Sequence, residues 1–381
     1  MAARRCRYSR RSLATTMCSS RNEHGQRHGS PPPAYNCFWR RHLMRHASSG
    51  LEDRFDQQDC RVMILVCGEA LIDLFVKAPG EAEMSARAVT GGSPFNVAIG
   101  LARLGVRTAF LGGISRDRFG SFLADGLARE GVDDRFLVRT DRLSSISVVA
   151  TTDDGQPNYA FHGEGAADRS LQPADLPDEL PDDIQALTFG SYSMAVEPVG
   201  TTFAALAQRE HRRRVISVDP NLRPTVVGDM QRWASAAERF YRTATMIKAS
   251  DEDIRIAWGG RVSIADAAAY WLNCGAHLVV VTEGAKGATA FFAKGNVSVP
   301  GRPVVVRDTV GAGDTFHAAL LAQLAKTGRL HPDAIATLEP SAIGDLVAYA
   351  TTAAAITVSR SGADLPTAAD VAASLNSRLR G

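Results

Sequence analysis

The chain has 381 residues, 45% hydrophobic and 22% charged, enough apolar material for one large globular domain or two smaller ones. The near-neutral total of +2 is unevenly spread: residues 1–50 hold ten arginines, no lysine and one acid, Glu23, leaving 33 of the 43 basic and 40 of the 41 acidic residues for the rest. That mildly acidic remainder lacks the charge signature of a nucleic-acid binder, and no uninterrupted apolar run reaches the roughly 18 residues of a membrane span.

The segment before Met63 has neither helical nor alternating periodicity, and Cys6, Cys18, Cys37 and Cys60 stand there without finger-like spacing to His24 or His28, so no zinc site is read. An Arg- and Ser-rich, acid-poor head fits a targeting peptide, a basic interaction arm, or translated sequence ahead of the true start. The strand pattern that opens at once in "MILVCGEALIDLF" favours the last, so residues 1–62 are expected to be disordered and outside the working domain, 63–381.

From there short apolar runs alternate with helical stretches. Strands are predicted over 62–67, 108–112, 186–189, 215–218, 246–247, 278–281, 288–292 and 304–306, with amphipathic helices among them at 94–105, 265–275 and 314–328. This rhythm predicts an α/β fold of three layers, a mostly parallel sheet with helices on both faces. One region departs from it: "SSISVVATTDDGQPNYAFH", 144–162, reads as two strands around an Asp-Gly turn, either a cover over a site or a plain surface hairpin, with Tyr159 and Phe161 facing a ligand or packing.

In open α/β sheets ligands bind beyond the carboxyl ends of the strands. Five predicted strands leave through polar or glycine-rich exits: "GEALID" with Asp73, "GSYS", "DPNLR", "KASDED" and "TEGAKG". Neither a G-x-x-x-x-G-K-[ST] loop nor a complete G-x-G-x-x-G after a strand is present, so the phosphate site is not of those types. The anion loop is instead "RDTVGAGDTF", 307–316: glycines at a helix entrance free N–H donors, and Asp314 stands beside them in the first turn. By itself Asp314 could be only a helix-start acid. Next to a donor cradle it suits one task, taking the proton from a hydroxyl that attacks a phosphoryl group held by the cradle.

"DTVGAGDTF" and "GGSPFNVAIGLARLG", 91–105, resemble the two signatures of the ribokinase-like (PfkB-type) carbohydrate kinases, and the likeness runs from about Met63 to the C-terminus. In the second stretch Ser93 is expected to cap a helix whose first position is Pro94, with Phe95, Ile99 and Ala102 inward and Gly105 as the stop. The resemblance implies a small β lid from about 73–90 and 144–165. It implies Asp314 as base with Gly311, Ala312 and Gly313 in an anion hole, and Asp73, Gly92 and Asn96 at the sugar; Phe161 and Arg223 join the substrate-binding candidates, the arginine either steadying phosphate charge at the rim or pairing with a neighbouring acid. It implies Asn221, Lys248, Thr282, Gly284 and Gly287 at ATP, and Asp308, Val310 and Gly362, with the Arg360 carbonyl, at a monovalent cation such as K+.

Many relatives carry an N-x-x-E element that organises Mg2+ through water; here the stretch offers Ser250 and Asp253 instead. The exits together are similar to those of bacterial fructokinases, which use ATP and Mg2+ to make fructose 6-phosphate. A 2-keto-3-deoxygluconate kinase, a nucleoside kinase of the same fold and a catalytically silent sugar-binding regulator are the alternatives. A cytoplasmic enzyme is expected, with sugar and ATP as its partners, no nucleic acid or membrane, and a homodimer through the lid.

Overall fold

Successive residues of Met63–Cys67 (β1) go to opposite sides: Ile64 and Val66 enter one apolar cluster, Met63, Leu65 and Cys67 another. A strand buried on both faces belongs inside a parallel sheet. The computed structural model describes residues 62–76, 83–151 and 157–377. The expected disordered head, its four cysteines, the Asp-Gly turn and the Tyr159 side chain lie outside what is described.

The further strands are Leu71–Val76 (β2), Ala86–Gly91 (β3), Arg107–Ser115 (β4), Leu137–Thr140 (β5), Ile146–Thr151 (β6), Pro157–His162 (β7), Ile184–Gly190 (β8), Val215–Asp219 (β9), Met246–Ser250 (β10), Leu278–Thr282 (β11), Gly287–Phe292 (β12) and Gly295–Pro300 (β13). The helices are Ser93–Arg103 (α1), Arg118–Arg129 (α2), Val199–Glu210 (α3), Pro224–Val227 (α4), Met230–Tyr241 (α5), Asp251–Trp258 (α6), Ile264–Cys274 (α7), Ala312–Lys326 (α8), Pro332–Ala336 (α9), Pro340–Val358 (α10) and Ala368–Ser377 (α11).

Nine strands form the central sheet in the order β13-β12-β11-β10-β9-β8-β1-β4-β5, parallel from β11 to β5, with the antiparallel hairpin β12–β13 at one edge. From β1 the chain builds outward first through β4 and β5, then the other way from β8 to β11. The order reverses at β1, where such sheets open a crevice at their carboxyl ends. Side chains of α1, α2, α8 and α10 bury one face of the sheet, and those of α3, α5 and α7 the other, giving the three predicted layers. A second sheet, β3-β2-β6-β7, forms the small β unit.

Three local expectations are corrected. Residues 304–306 form no strand, and their valines are exposed: the sheet edge is taken by β13, whose "GNVSVP" alternates too weakly to stand out. The N-cap of α1 is Gly92, and Ser93, already inside the helix, turns its hydroxyl elsewhere. Finally, α10 is 19 residues long with a mean hydropathy of 1.3, long and apolar enough by composition to cross a membrane; here it packs on α8, with Ile343, Leu346, Val347, Ala350 and Ala353 in the core.

Candidate active site

The entrance of α8 is the centre of the site. Gly311 precedes it at φ 78°, a left-handed turn that suits glycine, and the N–H groups of Gly311, Gly313 and Asp314 make no hydrogen bond among the described residues. That of Ala312 differs from the expectation, reaching back to the Thr309 carbonyl at 3.3 Å. Three free amides at a helix N-terminus are an arrangement suited to an anion, a candidate cradle.

Asp314 is buried in the mouth of this cradle, and its carboxylate is held from across the fold: Ser93 Oγ donates to Oδ1 at 2.6 Å and Asn96 Nδ2 to Oδ2 at 2.8 Å. The first signature thus serves the second. Ser93 does not cap its own helix because its hydroxyl is committed to the acid 221 residues away, and Asn96, expected at the sugar, orients the same group. The entry to α1 is tight. A side chain at Gly91 would strike the Asp73 carboxylate at 2.2 Å, while Gly92 sits at φ 104° against the Glu69 carbonyl.

Asp73 lies on β2 in register with Ser147 of β6, which in turn faces Phe161 of β7. Burial raises the Asp73 pKa, opposed by the Ser147 hydrogen bond and by the charge of Arg223, and Asp314 pushes the same way as burial. Asp73, Arg223 and Asp314 therefore share one electrostatic neighbourhood. Arg223 itself is exposed at the rim and bonds its neighbour's carbonyl, Leu222 O, at 2.9 Å.

Behind the cradle runs a buried ionic layer that sequence reasoning caught only in part. Lys248 Nζ lies so close to Gly313 that a Cβ there would sit 3.1 Å from it, and it donates to Asp219 Oδ2 at 2.9 Å. Burial works against the Lys248 charge, but Asp219, Asp253 and Asp314 outweigh it and raise its pKa. Burial pushes Asp219 up to about 7 against the pull of that ammonium. His317, one helical turn beyond Asp314, contacts Ser217 Oγ at 2.7 Å, and burial next to Lys248 pushes its pKa down to about 3, so it is neutral. Ser93, Asp219 and His317 were missed as site residues; only the position of Asp219 at a strand exit signalled it.

The strand exits are strained where the site needs them: Ser191 (φ 57°) and Asn221 (φ 37°) are the positive-φ residues other than glycine among those described, and such outliers cluster at functional sites. Ser250 and Asp253 form a capping box on α6. Asp253 Oδ2 accepts from Ser250 N and Oγ, and Oδ1 from Leu222 N at 2.8 Å, so this carboxylate ties two exits together and keeps one acceptor direction, on Oδ1. Asp219 Oδ1 is buried with no partner. These two oxygens fit the outer hydration shell of a divalent ion, which keeps several waters.

Thr282 lies beside Ser250 in strand register and its hydroxyl reaches Ala249 O at 3.4 Å, with Gly284 and Gly287 following at the same edge. Asp308 accepts from Val310 N at 3.0 Å and Gly362 N at 2.8 Å, bringing the three expected cation-site residues into one turn. Next to it is a cavity of about 390 Å³ lined by Arg302, Pro303, Val304, Ala355, Ile356, Ser359 and Ser374. Between α10 and α8 the Thr357 and Thr315 hydroxyls meet at 2.8 Å.

Residues 62–370 match the pfkB family carbohydrate kinase. A fructokinase of Rhizobium leguminosarum bv. trifolii is 44% identical over 282 residues, spanning 74% of this chain and 85% of that one. Among solved structures, fructokinase with bound ATP from Xylella fastidiosa superposes with a TM-score of 0.77 at 27% identity, covering 84% of this chain and 99% of its own. Fructokinase from Vibrio cholerae O395, in a form with fructose, ADP and calcium ion bound, gives 0.70 at 30% identity and coverage of 83% and 100%.

Proposed function

The chain belongs to the pfkB family of carbohydrate kinases, and from that premise we propose that it is a fructokinase: it passes the γ-phosphoryl group of ATP to the 6-hydroxyl of fructose. One observation carries the reading, the Asp314 carboxylate fixed by Ser93 and Asn96 alongside the free amides of Gly311, Gly313 and Asp314.

The geometry supports the following roles. Asp314 takes the proton as the sugar oxygen attacks phosphorus; its two hydrogen bonds fix its direction, so it need not reorganise during the step. The amides stabilise charge on the phosphoryl oxygens in flight, and the Lys248 ammonium behind Gly313 adds positive potential where water is excluded. Asp73 and Phe161, on the inner row of the lid, hold the sugar, and Arg223 stands at the rim to meet phosphate. The nucleotide runs from the cradle past Thr282, Gly284 and Gly287 and places its base in the cavity beside Ala355 and Ile356. A divalent ion, magnesium in this reading, would be held through water by Asp219 and Asp253 and would neutralise the phosphate tail. The Asp308, Val310 and Gly362 turn is the candidate monovalent-cation site.

The test is a panel of hexoses and sugar acids assayed for ADP release with ATP and magnesium. Fructose is expected to give the highest kcat/KM; a preference for an acid sugar or a nucleoside would overturn the assignment.

A further inference from the structure

Beside the site a half-buried cation stands unused. Arg169, at the end of a short turn over Ala167–Arg169, lies against a pair of aromatic rings, its Cζ 4.6 Å from the centroid of Phe161 and 5.2 Å from that of Tyr192. The rings themselves meet edge to face at 5.4 Å. The two rings give the guanidinium cation–π contact, but its edge is unsatisfied: Nε and Nη2 are buried and have no hydrogen-bond partner. Leaving such donors dry is costly, so two buried N–H groups pointing the same way on a planar fork are set for a ligand oxygen.

The surroundings say where on the sugar and of what kind. Asp73, Ser147 and Phe161 form a cross-strand row over three neighbouring lid strands, which spans about 10 Å at roughly 4.8 Å per strand. Its first member shares the field of Asp314 and its last carries Arg169. A hexose whose 6-hydroxyl meets Asp314 and whose ring lies along this row has its other end at Arg169. The guanidinium charge is already offset, because the neighbouring Asp168 is buried, accepting from Ser145 Oγ at 2.6 Å and Tyr192 OH at 2.7 Å, and Glu69 lies within electrostatic reach of the same tyrosine with its Oε2 unpartnered. A carboxylate would be repelled by these acids, whereas a neutral hydroxyl is accepted.

We infer that Arg169 is a specificity-determining residue that donates its Nε and Nη2 hydrogens to the anomeric hydroxyl at the C1–C2 end of a neutral ketohexose, held there against the Phe161–Tyr192 ring pair. This rests on the fructokinase reading and deepens it.

The experiment compares D-fructose with 2,5-anhydro-D-mannitol, which lacks only the anomeric hydroxyl, and includes 2-keto-3-deoxygluconate, using wild type, Arg169→Gln and Arg169→Lys. Wild type is expected to favour fructose over the anhydro sugar. Arg169→Gln should raise the fructose KM by roughly ten- to a hundredfold, the worth of a charged hydrogen bond, erase the preference between the two sugars, and leave the ATP KM within about twofold. Arg169→Lys keeps a stacked cation and supplies the readout should the glutamine variant misfold; a point charge cannot present the fork, so it should not restore the preference. An unchanged fructose KM and preference in a folded variant would overturn the inference alone, as would a wild type indifferent to the anomeric hydroxyl. Failure of wild type to phosphorylate fructose, or a preference for the acid sugar, would overturn the fructokinase reading itself.

Discussion

Replacing Asp314 by Asn separates its chemical role from its structural one. The carboxylate accepts one hydrogen bond on each oxygen, from Ser93 Oγ and Asn96 Nδ2. An asparagine can point its oxygen at Asn96, whose amide only donates there, and its NH2 at Ser93, whose hydroxyl can rotate to accept. Both contacts survive as neutral bonds, so the loss in stability is about 1–2 kcal/mol, the difference between charge-assisted and neutral hydrogen bonds. The amide cannot take a proton, and a lost general base costs roughly 10²–10⁴-fold, about 3–5 kcal/mol of barrier. Coupled measurement of ADP release should therefore show kcat reduced by at least about a hundredfold, with nucleotide binding by calorimetry and the urea midpoint little changed. Wild-type kcat in Asp314→Asn would refute the assignment of the base, whatever its effect on stability.

Removing Lys248 with methionine should cost about 3–5 kcal/mol, because it leaves Asp219 buried without its cation; the Asp219→Asn, Lys248→Met double variant should recover most of that in urea titrations while kcat stays low, and full recovery of kcat would deny Lys248 a part in the chemistry. A valine at Gly313 puts its Cβ 3.1 Å from Lys248 Nζ and fills the cradle, so kcat/KM for ATP should fall at least about tenfold with the fold retained by circular dichroism; unchanged kinetics would place the phosphates elsewhere. Burial raises the Glu69 pKa from 4.5 to about 7, so its contribution to stability is full below pH 4.5 and lost as pH rises through 7. Glu69→Gln does not titrate and should gain on the wild type by up to about 3 kcal/mol between pH 5 and pH 8; parallel stability curves would show that Glu69 is ionised in the native state.

What was legible in the sequence was local. Strands apolar on both faces, glycines at a helix entrance and polar residues at strand exits each declare themselves within ten residues, and they located the sheet, the cradle and Asp314. Leu137–Thr140 and Gly295–Pro300 escaped because four residues, or six with weak alternation, carry too little period to register. The valines at 304–306 have the composition of a strand but no partner to pair with. The partners of the site were illegible for another reason. Ser93 and Asn96 meet Asp314 across more than 200 residues, and Ser217 meets His317 across 100; no spacing rule reaches that far. A serine that caps its own helix and one that clamps a distant carboxylate look alike until the second helix is in place.

The long-range contacts also bear on how an acid would be tolerated in the proposed anion site. In the proposed reaction the phosphoryl group meets Asp314, whose charge opposes it, so positive potential has to come from a group that does not compete for the same donors. Lys248 meets that requirement from behind Gly313, where it faces the amides but is anchored by Asp219. Stability alone is a weak reason for this arrangement, since buried ion pairs are often no better than apolar residues of the same volume. The neutral state of His317 supports the same view: a protonated imidazole would compete for Asp219 and loosen the hold on Lys248. The positive charge of the layer is thus carried by the group that lies against Gly313, and the first and second signatures are coupled through a carboxylate that α1 aims and α8 carries.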